Sequence, residues 1–156
     1  MKPFVDTNWL VATYFENQDA KRTEMVERLL SRIDAPCFLS KPVLLESEAL
    51  FAHLSRQPAS DQWQKLQADI GTSLQIADIS WDVLEAGTLT LIRRFAHRAR
   101  IAIPDLMIVA AALKAEATHF LSFDTNSNLR ALAAVLKLKV FPELTVDDKR
   151  RVAALR

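Results

Sequence analysis

Four carboxylates stand where an α/β protein can hold a divalent cation. They are Asp6 in Phe4-Val5-Asp6-Thr7-Asn8, Glu46 in Val43-Leu44-Leu45-Glu46, Asp105 in Ile103-Pro104-Asp105-Leu106 and Asp124 in Leu121-Ser122-Phe123-Asp124. Asp6 and Asp124 end short apolar runs that read as buried strands, whereas Glu46 and Asp105 sit in or at the start of strongly apolar helices. A carboxylate among so much hydrocarbon must be protonated, paired or bound to a cation. A cluster of them predicts a metal centre and the metal-assisted chemistry that goes with one.

The elements that must position these acids are written as short apolar strands alternating with helices. Strands are expected at 2–5, 37–40, 74–77, 118–123 and 137–141. Helices are expected at 7–15, 21–33, from Pro42 to about 56, 60–69, 80–98, 105–116 and 126–136, with a short last one after Thr145. Met25, Leu29 and Ile33 recur at helical spacing, and Asn17-Gln18-Asp19 breaks the helix before them. Ser80 reads as an N-cap, and Pro42 and Pro104 suit first helical turns. The Ala110, Ala111, Ala112, Ala115 face suits close approach to a sheet. This alternation predicts an α/β fold with a parallel sheet covered on both faces.

In such a sheet, ligands bind beyond the carboxyl ends of the strands, near the point where strand order reverses. Asp6 and Asp124 fall at carboxyl ends, so they share one rim. Asp105 opens the helix before the Asp124 strand, and Glu46 lies one turn inside the helix after the second strand. Each acid also has a plainer reading: Asp6 as a helix cap, Asp105 as a complement to a helix dipole, Asp124 as a turn residue, Glu46 as a peripheral charge. Periodicity does not separate Glu46 from Glu48, which flank the stripe of Val43, Leu50 and Leu54 on either side. Only the conjunction of all four favours a site.

Composition sets the outer bounds. With 156 residues, 50% hydrophobic and 25% charged, the chain reads as one domain, 1–156, with a substantial core. Its two glycines, Gly71 and Gly87, exclude the glycine-rich loops that cradle nucleotide phosphates. A net charge of +1 means that nucleic-acid binding would need a local basic patch. The lone Cys37 reads as a small buried hydrophobe and suits a reducing compartment. Asp6 interrupts any signal-peptide-like start, and no apolar run reaches the roughly 18 residues of a membrane span, so a cytoplasmic location is expected.

In this order and spacing the motifs resemble those of the PIN-domain family, in particular the VapC-type toxin ribonucleases of toxin–antitoxin pairs. The resemblance spans nearly the whole chain. It rests on Asp6-Thr7-Asn8 after an apolar strand, on Glu46 in the helix after the second strand, on Pro104-Asp105-Leu106-Met107 opening an Ala-rich helix, and on Leu121-Ser122-Phe123-Asp124. It implies a three-layer α/β/α sandwich with a central parallel sheet of about five strands. It also implies an Mg²⁺- or Mn²⁺-dependent endoribonuclease holding one or two ions. Asp6, Glu46, Asp105 and Asp124 match the family's acidic quartet, and Asn8 and Ser122 its supporting polar positions. The family often has a further acid two residues after the last Asp, followed by an aromatic. Here the stretch reads Asp124-Thr125-Asn126-Ser127, leaving four carboxylates rather than five.

Carried over on that resemblance, Asp6 and Asp124 are core ligands, Asp105 binds directly or through water, and Glu46 orients the attacking water or completes the coordination. Arg93, Arg94, His97, Arg98 and Arg100 precede the Asp105 helix and are the candidates for gripping RNA, with Arg93, His97 and Arg100 on one helical stripe. Lys149, Arg150, Arg151 and Arg156 form a second basic cluster. Trp9, Tyr14, Phe15, Trp63 and Trp81 are expected in the core. The resemblance further implies an antitoxin protein partner and a homodimer. Rival readings are a PIN-like RNA- or protein-binding module without catalysis, a metal-free ribonuclease using His53, His97 and His119, and an acyl-phosphate enzyme built on Asp6.

Overall fold

The computed structural model describes residues 1–15 and 18–156. Asn17, part of the expected break, lies outside the described residues, and Asp19 caps the helix that follows. The elements run β1 (Pro3–Val5), α1 (Thr7–Tyr14), α2 (Ala20–Leu30), β2 (Cys37–Leu39), α3 (Lys41–Ser55), α4 (Asp61–Asp69), β3 (Leu74–Ile76), α5 (Trp81–Phe95), α6 (Ile103–Lys114), β4 (His119–Leu121), α7 (Leu129–Val135), β5 (Lys139–Phe141) and α8 (Val146–Leu155). The five strands form one sheet in the order β3-β2-β1-β4-β5, with every pairing parallel. This is the expected α/β sandwich.

Short side chains at the helix starts explain why the chain turns where it does. Asp6, Asp19, Ser40, Ser60, Ser80 and Thr145 each accept a backbone N–H of the helix they precede. Chain order steps from β1 to β2 to β3 in one direction, then jumps back across the sheet to β4 and β5. Right-handed crossovers therefore put α1 to α4 on one face and α5 to α7 on the other. The contacts of α1 with α2, α3 and α4, and of α6 with α5 and α7, follow that division. Between the layers, Phe4, Val5, Leu39, Phe120 and Leu121 are fully buried, and the Phe4 and Phe120 rings stack at 6.2 Å across β1 and β4.

Several elements are shorter than the sequence suggests. β4 ends at Leu121, so Asp124 lies three residues beyond the strand rather than at its last position. The reason is local: the Ser122 carbonyl is taken by the Arg130 side chain. α7 begins at Leu129, because the Asn126 N–H and the Ser127 hydroxyl both bond to Asp124. α5 ends at Phe95, so Arg93, His97 and Arg100 do not share a helical stripe. Trp9, Phe15 and Trp63 are core residues as expected, but Trp81 is 63% exposed.

Candidate functional site

The sheet reverses its strand order between β1 and β4, and this is where the acids collect. Asp6 leaves β1 as the N-cap of α1 and is only 1% exposed. Its Oδ1 accepts the Trp9 N–H at 2.9 Å and its Oδ2 accepts the Ser122 hydroxyl at 2.5 Å. Capping and site-building thus use different oxygens of one carboxylate. The Ser122 oxygen in turn accepts the Asp124 N–H at 3.1 Å, so a single hydroxyl ties the ends of β1 and β4 together. Asp124, half-buried, accepts the Asn126 N–H at 2.9 Å and the Ser127 hydroxyl at 2.6 Å. The Thr7 hydroxyl donates to Glu46 Oε2 at 2.5 Å, which turns Glu46 rather than Glu48 toward the rim. Asp105 is the third residue of α6 and half-buried. Asn8 lies beside Thr7 in the first turn of α1.

The charges are crowded. Burial pushes Asp6 up to about 7; the bonds from Ser122 and Trp9 oppose the rise, and the charges of Asp124 and Glu46 add to it. Burial also raises Asp105, and the Asp124 charge adds further. The nearby Ser127 hydroxyl works against that shift, whereas Glu46 reinforces it. Among the described residues, no cationic side chain offsets either group.

As they stand, no three acids, histidines or cysteines among the described residues are drawn together closely enough to hold an ion. The donor set nevertheless fits a hard cation, because it is all oxygen and carries uncompensated negative charge. An Mg²⁺-type ion keeps several waters and needs only one or two direct carboxylates.

The PIN domain family matches residues 4–135. This chain belongs to the PIN domain family. Solved structures with the same fold include VapC20 of Mycobacterium tuberculosis, described as a toxin that cleaves the sarcin–ricin loop. It has a TM-score of 0.64 and 20% identity over 80% of this chain and 92% of that one. A toxin–antitoxin complex from Klebsiella pneumoniae has a TM-score of 0.58 and 17% identity over 81% of this chain and 89% of that one. VapBC2 from Rickettsia felis, bound to a fragment of its promoter DNA, has a TM-score of 0.55 and 17% identity over 90% of this chain and 97% of that one. No curated protein sequence matches the chain significantly.

Motif reading assigns no role to three residues of this PIN domain that support the acids. Thr7 holds Glu46, and Ser127 serves Asp124 and Asp105. The third, Arg130, is 1% exposed and braces the rim from behind. Its Nε donates to Asp148 Oδ2 at 3.1 Å and its Nη1 to the Ser122 carbonyl at 2.5 Å. Its Nη2 reaches the carbonyls of Pro142 at 2.7 Å and Glu143 at 2.8 Å. A lone arginine inside the apolar run Leu129-Arg130-Ala131-Leu132-Ala133 was the available signal.

The basic residues Arg93, Arg94, His97, Arg98 and Arg100 are all exposed, on the end of α5 and the segment that leads into α6 and Asp105. Ile92 of α5 and Ile103 of α6 line one hollow, and the Asn128 amide donates to the Arg100 carbonyl at 3.0 Å. Arg98 is committed elsewhere, to the carbonyls of Leu155, at 3.0 Å, and Arg156. Arg151 of α8 donates to the Thr125 carbonyl at 2.7 Å and so steadies the turn after Asp124. The histidines do not assemble. His119 begins β4 at the opposite rim, and His53 sits in the last turn of α3.

Proposed function

We propose that this PIN domain is a divalent-metal-dependent endoribonuclease of the VapC type, the toxin of a toxin–antitoxin pair. One observation carries the reading: the charges of Asp124 and Glu46 act on Asp6 and Asp105 at the β1–β4 rim, and among the described residues no cationic side chain offsets Asp6 or Asp105, in a chain whose structural neighbours include an RNA-cleaving toxin. Asp6, Asp124, Asp105 and Glu46 would hold one or two Mg²⁺ or Mn²⁺ ions. Such an ion, when bound, supplies charge stabilisation at the phosphate oxygens and an acidified water. Asp6 and Asp124 are the core donors, held in place by Ser122, Trp9 and Ser127. Asp105 reaches the ion directly or through water. Glu46, oriented by Thr7, positions the attacking water or completes the donor set. Asn8 and Ser122 are supporting polar groups.

Arg93, Arg94, His97 and Arg100, with Arg98 at the margin, line the approach beside Asp105 and would hold the RNA backbone. An antitoxin protein, self-association as a homodimer and a cytoplasmic location complete the proposal. No helix among the described residues is long and apolar enough to cross a membrane.

RNA cleavage tests the reading directly. Wild-type protein with Mn²⁺ should cut a mixed-sequence RNA, and EDTA should abolish the cutting. Asp105→Asn should lose about a hundred-fold or more. Undiminished cleavage by Asp105→Asn, or cleavage that survives EDTA, would remove the metal-dependent assignment.

A further inference from the structure

A cleft of about 580 Å³ opens between the start of α3, the segment 77–81 and α6. Its volume is that of a small-ligand pocket. We propose that it receives one unpaired nucleobase of the substrate strand, stacked on the indole of Trp81; this rests on the ribonuclease reading above. Glu46 and Pro104, the neighbour of Asp105, both stand in its wall, so the cleft adjoins the acid cluster. A strand whose phosphate lies at the acids therefore has a base within reach of the cleft.

Trp81 is the second observation. Trp81, Leu84, Thr88, Leu91 and Phe95 follow one helical period, and the last four are buried. Trp81 belongs to that stripe yet stays 63% exposed, because the cleft lies where its packing partners would be. Its indole stacks on no other aromatic ring among the described residues. Leu45, Met107 and Ile108 supply apolar walls, while Lys41 and Asp78, both exposed, add a cation for the backbone and an acceptor for an exocyclic amine. Unpaired RNA bases are bound in this way, by an aromatic face beside a few polar groups. A flat protein surface laid across the cleft would leave a hollow of this size unfilled, which close-packed interfaces avoid.

The test uses Asp105→Asn protein, to slow turnover, with eight-residue single-stranded RNAs carrying one abasic site at each position in turn. Trp9 and Trp63 are buried, so a change in tryptophan emission on binding reports Trp81. Intact RNA should quench that emission. One abasic position should weaken binding about ten-fold or more. Adding Trp81→Leu should abolish both the quench and the dependence on that position. An unmoved emission with a flat abasic scan, while wild-type protein still cleaves RNA, overturns the base cleft alone. Absence of any cleavage by wild type overturns the ribonuclease reading itself. If Trp81→Leu halves the particle mass in solution and leaves RNA affinity per chain unchanged, the cleft is covered by a second copy and the proposal is wrong.

Discussion

The Ser122 hydroxyl lies 2.5 Å from Asp6 Oδ2, and that bond joins two chain segments 116 residues apart. It stabilises the ionised form of a carboxylate that burial drives toward neutrality. Ser122→Ala should therefore move the pH midpoint of RNA cleavage upward and lower the rate about ten-fold near pH 7, while costing only about 1 kcal/mol of stability. Rate–pH profiles beside urea melts check both halves; an unshifted midpoint contradicts the role given to this hydroxyl.

Asp6 predicts a pH-dependent fold. Its folded pKa of about 7 stands above the ordinary 3.8, so between those values the folded protein holds a proton that the unfolded chain has released. The stabilisation from this group is complete below about pH 4 and is lost as pH rises through 7. Metal-free protein should therefore melt at a lower temperature at pH 8 than at pH 5.5. Asp6→Asn, which keeps a capping oxygen, should gain about 2 kcal/mol at pH 8, or some 4–8 °C. Thermal melts in EDTA across that range decide the matter.

A cation should reverse the same trend. Binding to the folded form alone stabilises by mass action, and protons compete for the same oxygens. Millimolar Mg²⁺ or Mn²⁺ should raise the melting temperature at pH 8 by several degrees and do much less at pH 5.5. Na⁺ at equal ionic strength serves as the control, and a melt unmoved by either divalent ion contradicts the metal centre.

Arg130 and Asp148 form a pair with only 2% and 0% of their side chains exposed. Asp148→Ala strands a buried guanidinium and should cost about 3–5 kcal/mol, read from urea unfolding. A loss under about 1 kcal/mol would show that the guanidinium finds other compensation.

In the proposed function, the exposed Arg93 and Arg94 act on substrate rather than on stability. Replacing both with Ala should weaken RNA binding at low salt. The log–log slope against salt should flatten by about 0.7 for each phosphate that the protein no longer neutralises. Binding measured from 50 to 200 mM salt tests this, and an unchanged slope places the RNA elsewhere.

Apolar run length and capping side chains were enough to foretell the layers and the parallel sheet. Each strand is a short hydrophobic stretch and most helices begin at a Ser, Thr or Asp that the structure uses as a cap. The rim position of Asp6 followed from the same logic. Glu46 could not be told from Glu48, because the distinction depends on a hydroxyl 39 residues away, that of Thr7. The ends of β4 and α7 were equally hidden: side-chain bonds from Arg130 and to Asp124 end one and delay the other. Trp81 was misplaced because periodicity tells which face a residue shares, not whether anything lies opposite.

Helix α8 lies wholly beyond residue 135, where the family match stops. Yet Asp148 anchors the guanidinium behind Ser122, and Arg151 grips the carbonyl next to Asp124. Mutational surveys confined to the shared stretch would overlook these braces, and a deletion of the last helix should relax the acid-bearing rim from a distance.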